Sequence, residues 1–326
     1  MWESYYDYMV ASSERYGSSF VRSSWSEYKK RMLYRVENER PFHKLVFFDD
    51  GKPAGWLNFN IRNIDTDKRL DFFLCDGLFD KIPVDFSRAV AKQLHILMDE
   101  YNSASVYTLE SNTRIADVIV SWGSDILGHI EKFVLRRDET NHDLMRQWIL
   151  EIPQQFPELH AEFCKTYPVD RLDEYARLFT KFLRDMPKEE QKGDPFHVTA
   201  DDLRKHMATH RKSNMHPYHY FLFHDDGRII GFSHAYINSD DPRNAYQAMT
   251  GIIDEYRGRN LSKWLKAALF YKLGEDFPEN KTMTSEMRSV NAPIIKVNEQ
   301  IGYKLVSKGI EANITREILQ DFLNKQ

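Results

Sequence analysis

The most restrictive feature of this sequence is a hairpin pattern that occurs twice. Asp50-Gly51 and Asp226-Gly227 each separate two apolar runs, and an Asp-Gly turn in such a place is typical of a β-hairpin. The runs around the first turn occupy residues 45–59, and those around the second occupy residues 221–235. The two turn glycines are 176 residues apart (227 − 51). The pattern therefore predicts one kind of domain that is present twice.

Almost the same offset continues through two further parts of the chain. The β-prone run at residues 105–111 corresponds to residues 281–287, again 176 residues later (281 − 105). Gly128 corresponds to Gly302 at an offset of 174 (302 − 128). Chance similarity between two hairpins would not keep this spacing over a later strand and turn. We therefore expect two copies of one fold rather than two unrelated domains.

Length and composition agree with this organisation. The chain has 326 residues, of which 42% are apolar, and we place the two domains at residues 1–140 and 141–326. The net charge of −4, without a strongly basic half, does not favour nucleic acid as a partner. Cys75 and Cys164 lie far apart in the sequence and indicate neither a disulfide scaffold nor a zinc site. No signal peptide or membrane span is predicted, so we expect a cytoplasmic protein.

An apolar strand, a basic turn and a helix follow one another at residues 250–266. A helix that begins directly after a turn leaves its first N–H groups unpaired, and the helix dipole favours an anion there. Gly258 allows close approach to a ligand, and Arg257 and Arg259 can each bind two phosphate oxygens. The sequence therefore predicts a pyrophosphate site. The apolar positions of the helix recur at three- and four-residue steps: Leu261, Trp264, Leu265, Ala268, Leu269 and Leu273.

This turn resembles the signature of the GNAT superfamily of acyl-CoA-dependent N-acetyltransferases, Arg/Gln-x-x-Gly-x-Gly/Ala. Arg257 matches the first position, whereas Asn260 and Ser262 replace the two small residues. The longer pattern Arg-Gly-x-x-Leu-Ser-x-x-Leu-Lys, at residues 257–266, is similar to a variant in tandem GNAT proteins of the mycothiol-synthase type. A second block, residues 291–303, resembles the last conserved helix of the family and the turn that follows it. Two motifs in the family's order are more specific than either motif alone.

The resemblance implies a mixed α/β fold: two tandem GNAT folds, each a central, mostly antiparallel twisted sheet flanked by helices. It implies an acyltransferase that moves the acetyl group of acetyl-CoA directly to a primary amine of a small molecule in a ternary complex, without a metal. The strand at residues 245–253 should diverge from its neighbour and leave backbone groups for the pantetheine arm. The implied cofactor-binding residues are Thr250, Gly251, Ile252, Arg257, Gly258, Arg259, Asn260, Leu261, Ser262, Asn291 and Asn298. For the last two, binding of the arm and helix capping are equally open.

The corresponding turn of the first copy differs. Residues 79–86 contain no glycine and place Asp80 and Asp85 where phosphates would lie. A helix is still predicted there, because its apolar residues form one stripe: Val90, Leu94, Leu97, Met98 and Tyr101. We therefore expect the first copy to keep the fold, to lack the cofactor and to shape the cleft.

Proton transfer is less well determined by the sequence. Many GNAT enzymes protonate the leaving thiolate with a tyrosine at the position of Asn298, which is not an acid. The acid is then another group, solvent, or unnecessary, because a thiolate with a pKa of roughly 8.5 leaves readily. Glu286, near the end of a strand, is the main candidate for the general base, with His234 and Tyr236 as rivals on one face of the preceding hairpin.

Several alternatives stay open. The spacing of His216, His219 and His224 fits no helical pair of metal ligands, so scattered histidines are the better interpretation. The acceptor can be an amino sugar, a cysteinyl conjugate, an aminoglycoside, a polyamine, an amino acid or a peptide, and an oligomer is possible. A non-catalytic acyl-CoA-binding or regulatory module is the main alternative, since the family tyrosine is missing. A transferase that uses aminoacyl-tRNA is a weaker one, since no basic face is evident.

Overall fold

The structure is a computed structural model that describes residues 42–64, 67–75, 82–110, 112–187, 197–212, 214–239 and 241–325, and residues 3, 6, 7, 10, 11, 25, 26 and 29. Its strands are β1 (Phe42–Asp49), β2 (Lys52–Ile64), β3 (Asp67–Cys75), β4 (Ser105–Glu110), β5 (Asp125–Arg136), β6 (Leu159–Cys164), β7 (Met215–His224), β8 (Ile229–Asn238), β9 (Asp241–Ile252), β10 (Thr282–Arg288) and β11 (Lys304–Thr315). Its helices are α1 (Val84–Glu100), α2 (Thr113–Ser121), α3 (His142–Glu151), α4 (Leu172–Asp185), α5 (Ala200–Lys212), α6 (Leu261–Asp276), α7 (Ala292–Ile301) and α8 (Arg316–Asn324).

The chain forms two compact units. The first comprises residues 1–131, 189–191 and 307–326, and the second comprises residues 132–188 and 192–306. The last residues of the chain therefore belong to the same unit as the first copy of the repeat. None of the helices that the structure describes is both long and apolar enough to span a membrane.

The sheet of the first unit has the strand order β1-β2-β3-β4-β11. All of its pairs are antiparallel except β3–β4, which is parallel. One buried face carries α1, α2 and α8, and the predicted apolar stripe of α1 is confirmed, since Val90, Leu94, Leu97 and Met98 lie in this core. The first three residues of the predicted degenerate turn, 79–81, lie outside the described chain.

The sheet of the second unit has the order β5-β10-β9-β8-β7-β6. The β9–β10 pair is parallel, and β9–β8, β8–β7 and β7–β6 are antiparallel. Both faces are covered. Helices α3, α6 and α7 share one core with the sheet, and α4 and α5 share the other. The predicted class, a mixed α/β fold with mostly antiparallel sheets flanked by helices, is confirmed.

Both predicted hairpins form where the sequence places them. Asp50 and Gly51 have φ values of 45° and 73°, the left-handed conformations that a tight hairpin turn between β1 and β2 requires. In the turn between β7 and β8, Gly227 has φ = 86° and its N–H donates to the carbonyl oxygen of His224 at 2.8 Å. An aspartate–glycine pair therefore closes the same hairpin in each unit.

Candidate functional site

The turn between β9 and α6 contains two residues with a left-handed backbone. Gly258 has φ = 77°, and Asn260, directly before α6, has φ = 61° and ψ = 8°. Side chains disfavour this region, but asparagine tolerates it better than most residues. The asparagine that replaces a signature glycine is therefore one of the few residues that keep this turn without strain.

The same turn presents a row of unpaired backbone donors. Within the described chain, the N–H groups of residues 258–262 donate to no acceptor, whereas the N–H of Lys263 donates to the carbonyl oxygen of Asn260 at 2.9 Å. Gly258 faces open space, with no atom within 4 Å of a Cβ built on it. Unpaired donors at the positive end of a helix favour an anion, and α6 has 16 residues. We call residues 257–262 the anion loop.

Arg257 braces the anion loop from the side. Its Nε donates to the carbonyl oxygen of Ile252 at 3.0 Å, and its two terminal nitrogens bind Asp185 at 2.8 Å and Asp254 at 2.7 Å. Lys181 binds the same two carboxylates, at 2.6 and 2.7 Å. Burial raises the pKa of Asp185, but the hydrogen bonds from Lys181 and Arg257 outweigh it and lower the pKa overall. The Arg257 guanidinium thus ties the end of β9 to α4.

Two other cations flank the anion loop. The Arg259 guanidinium lies over the rings of Tyr256 and Phe156, at 5.0 and 6.0 Å from their centroids. The Lys263 ammonium lies over the Trp148 ring at 5.2 Å. Neither cation forms an ion pair with a carboxylate of the described chain, so both charges are available to an anion. Lys263 was not among the residues predicted from the sequence, although its place in the first turn of α6 marks it.

Strands β9 and β10 pair only near their beginnings. The three parallel pairs end at Tyr246 and Thr284, and one residue further on Ser285 Oγ donates to the carbonyl oxygen of Gln247 at 3.1 Å. In the described chain, β9 residues 248–252 have no partner on β10. The strands therefore diverge after Gln247, which leaves one backbone edge of β9 for a ligand.

A β-bulge accompanies this divergence. His234 of β8 pairs with Met249, whereas the next residue, Ala235, pairs with Gln247, so Ala248 is an extra residue on β9. A bulge bends its strand and increases the local twist, and bulges are common beside active sites. Here it re-aims the backbone of β9 at the point where β10 separates from it.

Three predicted cofactor-binding residues of β9, Thr250, Gly251 and Ile252, lie beyond the bulge. Their backbone groups, rather than free side chains, are what they offer to a ligand. The Thr250 hydroxyl is 2.8 Å from Ser233 Oγ, and the Ile252 carbonyl oxygen accepts from Arg257. A Cβ on Gly251 would lie 2.1 Å from the ring of Phe182, so only glycine allows α4 to pack this closely on β9.

Asn298 presents an orphaned polar atom beside the diverging strands. The side chain is completely buried, its Nδ2 donates to Met287 Sδ at 3.7 Å, and its Oδ1 has no hydrogen-bond partner in the described chain. A buried carbonyl oxygen without a donor is costly, and an amide N–H of a bound ligand would satisfy it. Asn291 lies at the N-cap of α7, but its side chain makes no capping hydrogen bond.

A buried polar network that the sequence did not reveal lies at the divergence. Lys266 of α6 is 4% exposed, and its Nζ donates to Gln247 Oε1 at 2.7 Å. Tyr303 Oη donates to the same oxygen at 3.0 Å. Gln247 Nε2 donates to Ser233 Oγ at 3.1 Å and to Thr250 Oγ1 at 3.3 Å. Burial lowers the pKa of Lys266 to about 7. We call Lys266, Gln247, Tyr303, Ser233 and Thr250 the Gln247 network.

The candidate general bases differ in accessibility. Glu286 of β10 has a side chain that is 24% exposed, and its Oε1 lies 3.6 Å from Lys132 Nζ. Burial, and then the charge of Glu286, raise the pKa of Tyr246, which pairs with Tyr236 across β8 and β9. Tyr246 therefore lies near both Glu286 and Tyr236, so these two candidate bases belong to the same part of the site.

His234 has a different environment. Its ring is 1% exposed and stacks on Phe179 with a centroid distance of 5.7 Å and an interplanar angle of 8°. Burial lowers its pKa to about 3, which keeps the imidazole neutral. The His219 ring lies 5.2 Å away. Among the residues that the structure describes, no group of three or more histidine, cysteine, aspartate or glutamate side chains has the arrangement of a metal site.

Comparison with known structures identifies the fold. A tandem GNAT protein from the clavulanic acid biosynthesis pathway superposes with a TM-score of 0.75 over 97% of this chain and 94% of that chain, at 15% identity. The fold is a tandem GNAT fold. A GCN5-related N-acetyltransferase from Sphaerobacter thermophilus superposes with a TM-score of 0.60 over 96% of this chain and 92% of that chain, at 14% identity.

A third structure with the GNAT fold is a GCN5-related glucosamine N-acetyltransferase region in a fungal multi-domain GH3 β-N-acetylglucosaminidase. It superposes with a TM-score of 0.60 over 94% of this chain and 36% of that chain, at 12% identity. Searches of protein-family models and of curated proteins give no match to the sequence. Structural similarity at these identities establishes the GNAT fold, and the site must be interpreted from its own residues.

Proposed function

We propose that the protein is an acetyl-CoA-dependent N-acetyltransferase that acetylates a primary amine of a small molecule by direct transfer in a ternary complex. One observation carries this proposal: the unpaired N–H groups of residues 258–262 lie at the start of α6, directly after a strand that has separated from its neighbour. A donor row for phosphates and an unpaired strand edge are what an elongated ligand with a pyrophosphate and an amide-containing arm requires.

The residues present fit CoA. The anion loop would hold the pyrophosphate through its backbone donors, and Arg259 and Lys263 would add charge. The free edge of β9 and the orphaned Asn298 Oδ1 would bind the amides of the pantetheine arm. Bound acetyl-CoA would supply an activated acetyl thioester. A β9 backbone N–H near the bulge would polarise the thioester carbonyl as a preorganised donor.

Glu286 is the residue to which we assign proton transfer. It would accept a proton from the acceptor ammonium and so leave the amine neutral and nucleophilic. Lys132, 3.6 Å away, orients the carboxylate. Tyr236 and Tyr246, on neighbouring strands, would line the approach of the amine. His234 would have a packing role beneath these tyrosines rather than a catalytic one, because its buried ring is stacked on Phe179 and stays neutral.

Thiol release from acetyl-CoA, measured over a panel of amines, tests this function. The panel contains an amino sugar, an aminoglycoside, a polyamine, an amino acid and a short peptide, and calorimetric titration with CoA is run in parallel. We expect tight CoA binding and thiol release with at least one amine. Tight binding without thiol release for any amine would favour the alternative, a non-catalytic acyl-CoA-binding or regulatory module.

The Glu286→Gln variant tests the assigned base. General-base catalysis is worth about 100-fold or more, so we expect kcat to fall by about that factor while the affinity for CoA stays the same. Glu279→Gln, which makes the same change at an exposed position of the second unit, is the matched control. If Glu286→Gln keeps its kcat, the base is another group, and Tyr236→Phe is the next variant to measure.

A further inference from the structure

The lysine of the Gln247 network is unusual because it is buried without a counter-ion. No carboxylate of the described chain pairs with Lys266, whose Nζ donates to Gln247 Oε1. A buried amine in such a place lowers stability relative to an apolar side chain of the same length, because its desolvation is not compensated by an ion pair. A methionine or leucine would fill this part of the core at lower cost. Packing alone therefore does not account for a lysine here.

The position of Gln247 suggests what the lysine does. The Gln247 backbone accepts the last hydrogen bond between β9 and β10, from Ser285 Oγ. Its side chain reaches forward along β9 to Thr250 and across to Ser233 of β8. The Gln247 side chain therefore spans the bulge at Ala248, and Lys266 and Tyr303 together fix the oxygen end of that side chain.

The first unit provides an internal comparison. Its parallel strands also end in a hydrogen bond from a hydroxyl, since Thr108 Oγ1 donates to the carbonyl oxygen of Phe72 at 2.9 Å. Phe72 thus corresponds to Gln247, at an offset of 175 (247 − 72). The same offset (266 − 91) pairs Lys266 of α6 with Ala91 of α1, and it also pairs buried residues of the two helices, Val90 with Leu265 and Leu94 with Leu269. Both Phe72 and Ala91 are buried. At equivalent places the first unit has an apolar pair and the second has an amide and an amine.

We propose that Lys266 is a positioning residue for acyl transfer, which acts through Gln247 to hold β9 from Gln247 to Thr250 in the bulged, diverged conformation that presents its backbone to the acetyl donor. This inference rests on the proposed function. It adds to that function a residue that has no predicted contact with the cofactor. The lysine supplies a donor that reaches Gln247 Oε1 from a helix across the core, which an apolar side chain cannot do.

Steady-state kinetics of Lys266→Met, Lys266→Gln and Gln247→Leu in the full chain test the inference. We expect Lys266→Met to lower kcat at least about tenfold, while the midpoint of unfolding stays the same or rises. Lys266→Gln, which can still donate to Gln247, should recover most of kcat. Because Lys266 acts through Gln247, the double variant Lys266→Met/Gln247→Leu should lose no more activity than either single variant. Lys272→Met, which removes a half-buried lysine that pairs with Asp276 on the same helix, is the matched control, and its kcat should stay at the wild-type value.

Amide hydrogen exchange in the absence of ligand separates this inference from the proposed function. In Lys266→Met, exchange at residues 247–250 should accelerate at least about tenfold relative to the rest of β8 and β9, and in Lys272→Met it should not. If wild-type protein releases no thiol from acetyl-CoA with any amine, the proposed function is refuted, but the exchange result remains valid. Unchanged exchange in Lys266→Met, a kcat within twofold of wild type, or losses that multiply in the double variant would overturn the role of Lys266.

Discussion

The two helices that follow the diverging strands, α1 in the first unit and α6 in the second, begin in different ways. Helix α1 follows Pro83 and carries Asp85 in its first turn. Helix α6 follows the left-handed Asn260, and its described first turn contains no acidic residue. A carboxylate in the first turn already interacts with the positive end of the helix and repels a second anion. The start of α1 therefore disfavours phosphate, whereas the start of α6 carries no such repulsion.

The strand geometry, in contrast, is common to both units. In each, the parallel pair has three residue pairs and ends in a hydrogen bond from a hydroxyl to a carbonyl oxygen, from Thr108 to Phe72 in the first unit and from Ser285 to Gln247 in the second. Divergence is thus a property of the fold. The proposed chemistry depends on what the second unit adds to it, namely the anion loop and the Gln247 network.

The largest effect is expected when the second helix is given the first turn of α1. Ser262 is the second residue of α6 and Asp85 is the second residue of α1, so the two are compared by their distance from the helix start and not by the offset of 175. Ser262→Asp places a carboxylate among the unpaired donors, and we expect the affinity for CoA to fall about 100-fold in a calorimetric titration. Asp85→Ser is the reciprocal control and should leave the affinity unchanged. An unchanged affinity in Ser262→Asp together with a raised affinity in Asp85→Ser would mean that the cofactor has been assigned to the wrong unit.

Charge reversal at Arg257 should have the next largest effect. Arg257→Glu removes the brace between Ile252 and Asp185 and brings a carboxylate beside the anion loop, so we expect CoA binding to weaken by more than about tenfold. Arg257→Gln, which can still donate to the Ile252 carbonyl oxygen, separates the brace from the charge. Calorimetric affinities that match wild type in Arg257→Glu would exclude Arg257 from the cofactor site.

Much of this comparison is accessible from sequence, because its signals are local. The Asp-Gly turns, the stripe of α1 and the glycine of the anion loop each depend on residues within one or two turns of chain. The partners of Arg257 do not, since Asp185 lies 72 residues earlier in the sequence. Only tertiary packing brings the end of α4 to the end of β9.

The Gln247 network shows a second limit of sequence reasoning. The stripe predicted for α6 places Leu265 and Leu269 inside, and Lys266 lies next to that stripe. In the structure α6 is buried on more than one side, so Trp264, Leu265, Lys266 and Ala267 are all buried. A lysine within an otherwise apolar run was the signal available, but exposed lysines beside such runs are far more common.

The conformation of Asn260 should have a moderate effect on the anion loop. Asn260→Val places a β-branched residue at φ = 61°, which costs roughly 1–2 kcal/mol, so we expect about a tenfold loss of CoA affinity as the turn rearranges. Asn260→Gly, which adopts this conformation freely, should bind CoA as wild type or slightly better. The two variants together show whether CoA binding depends on the backbone conformation at position 260 or on the asparagine side chain. A loss of CoA affinity in Asn260→Gly would indicate the side chain.

The smallest expected effect is on the pH dependence of the free energy of unfolding. It arises from Lys266 and has no equivalent in the first unit, where the counterpart is the apolar Ala91. Burial lowers the pKa of Lys266 to about 7 in the folded protein, whereas an unfolded lysine has a pKa near 10.4. Between these values the unfolded chain binds more protons, so Lys266 makes the free energy of unfolding rise with pH by up to about 1.4 kcal/mol per unit. Below pH 7 the penalty is complete and constant.

Chemical denaturation of wild type and Lys266→Met at pH 6, 7, 8 and 9 measures this difference. Other groups titrate in both proteins, so the difference between their free energies of unfolding isolates Lys266. We expect Lys266→Met to be the more stable protein at pH 6, and wild type to approach it by about 1 kcal/mol between pH 7 and 8. A difference that does not change with pH would mean that Lys266 stays charged in the folded protein. In that case the second unit would hold an ammonium at the divergence of β9 and β10, and Gln247 Oε1 would be its charge-assisted acceptor rather than the partner of a neutral amine.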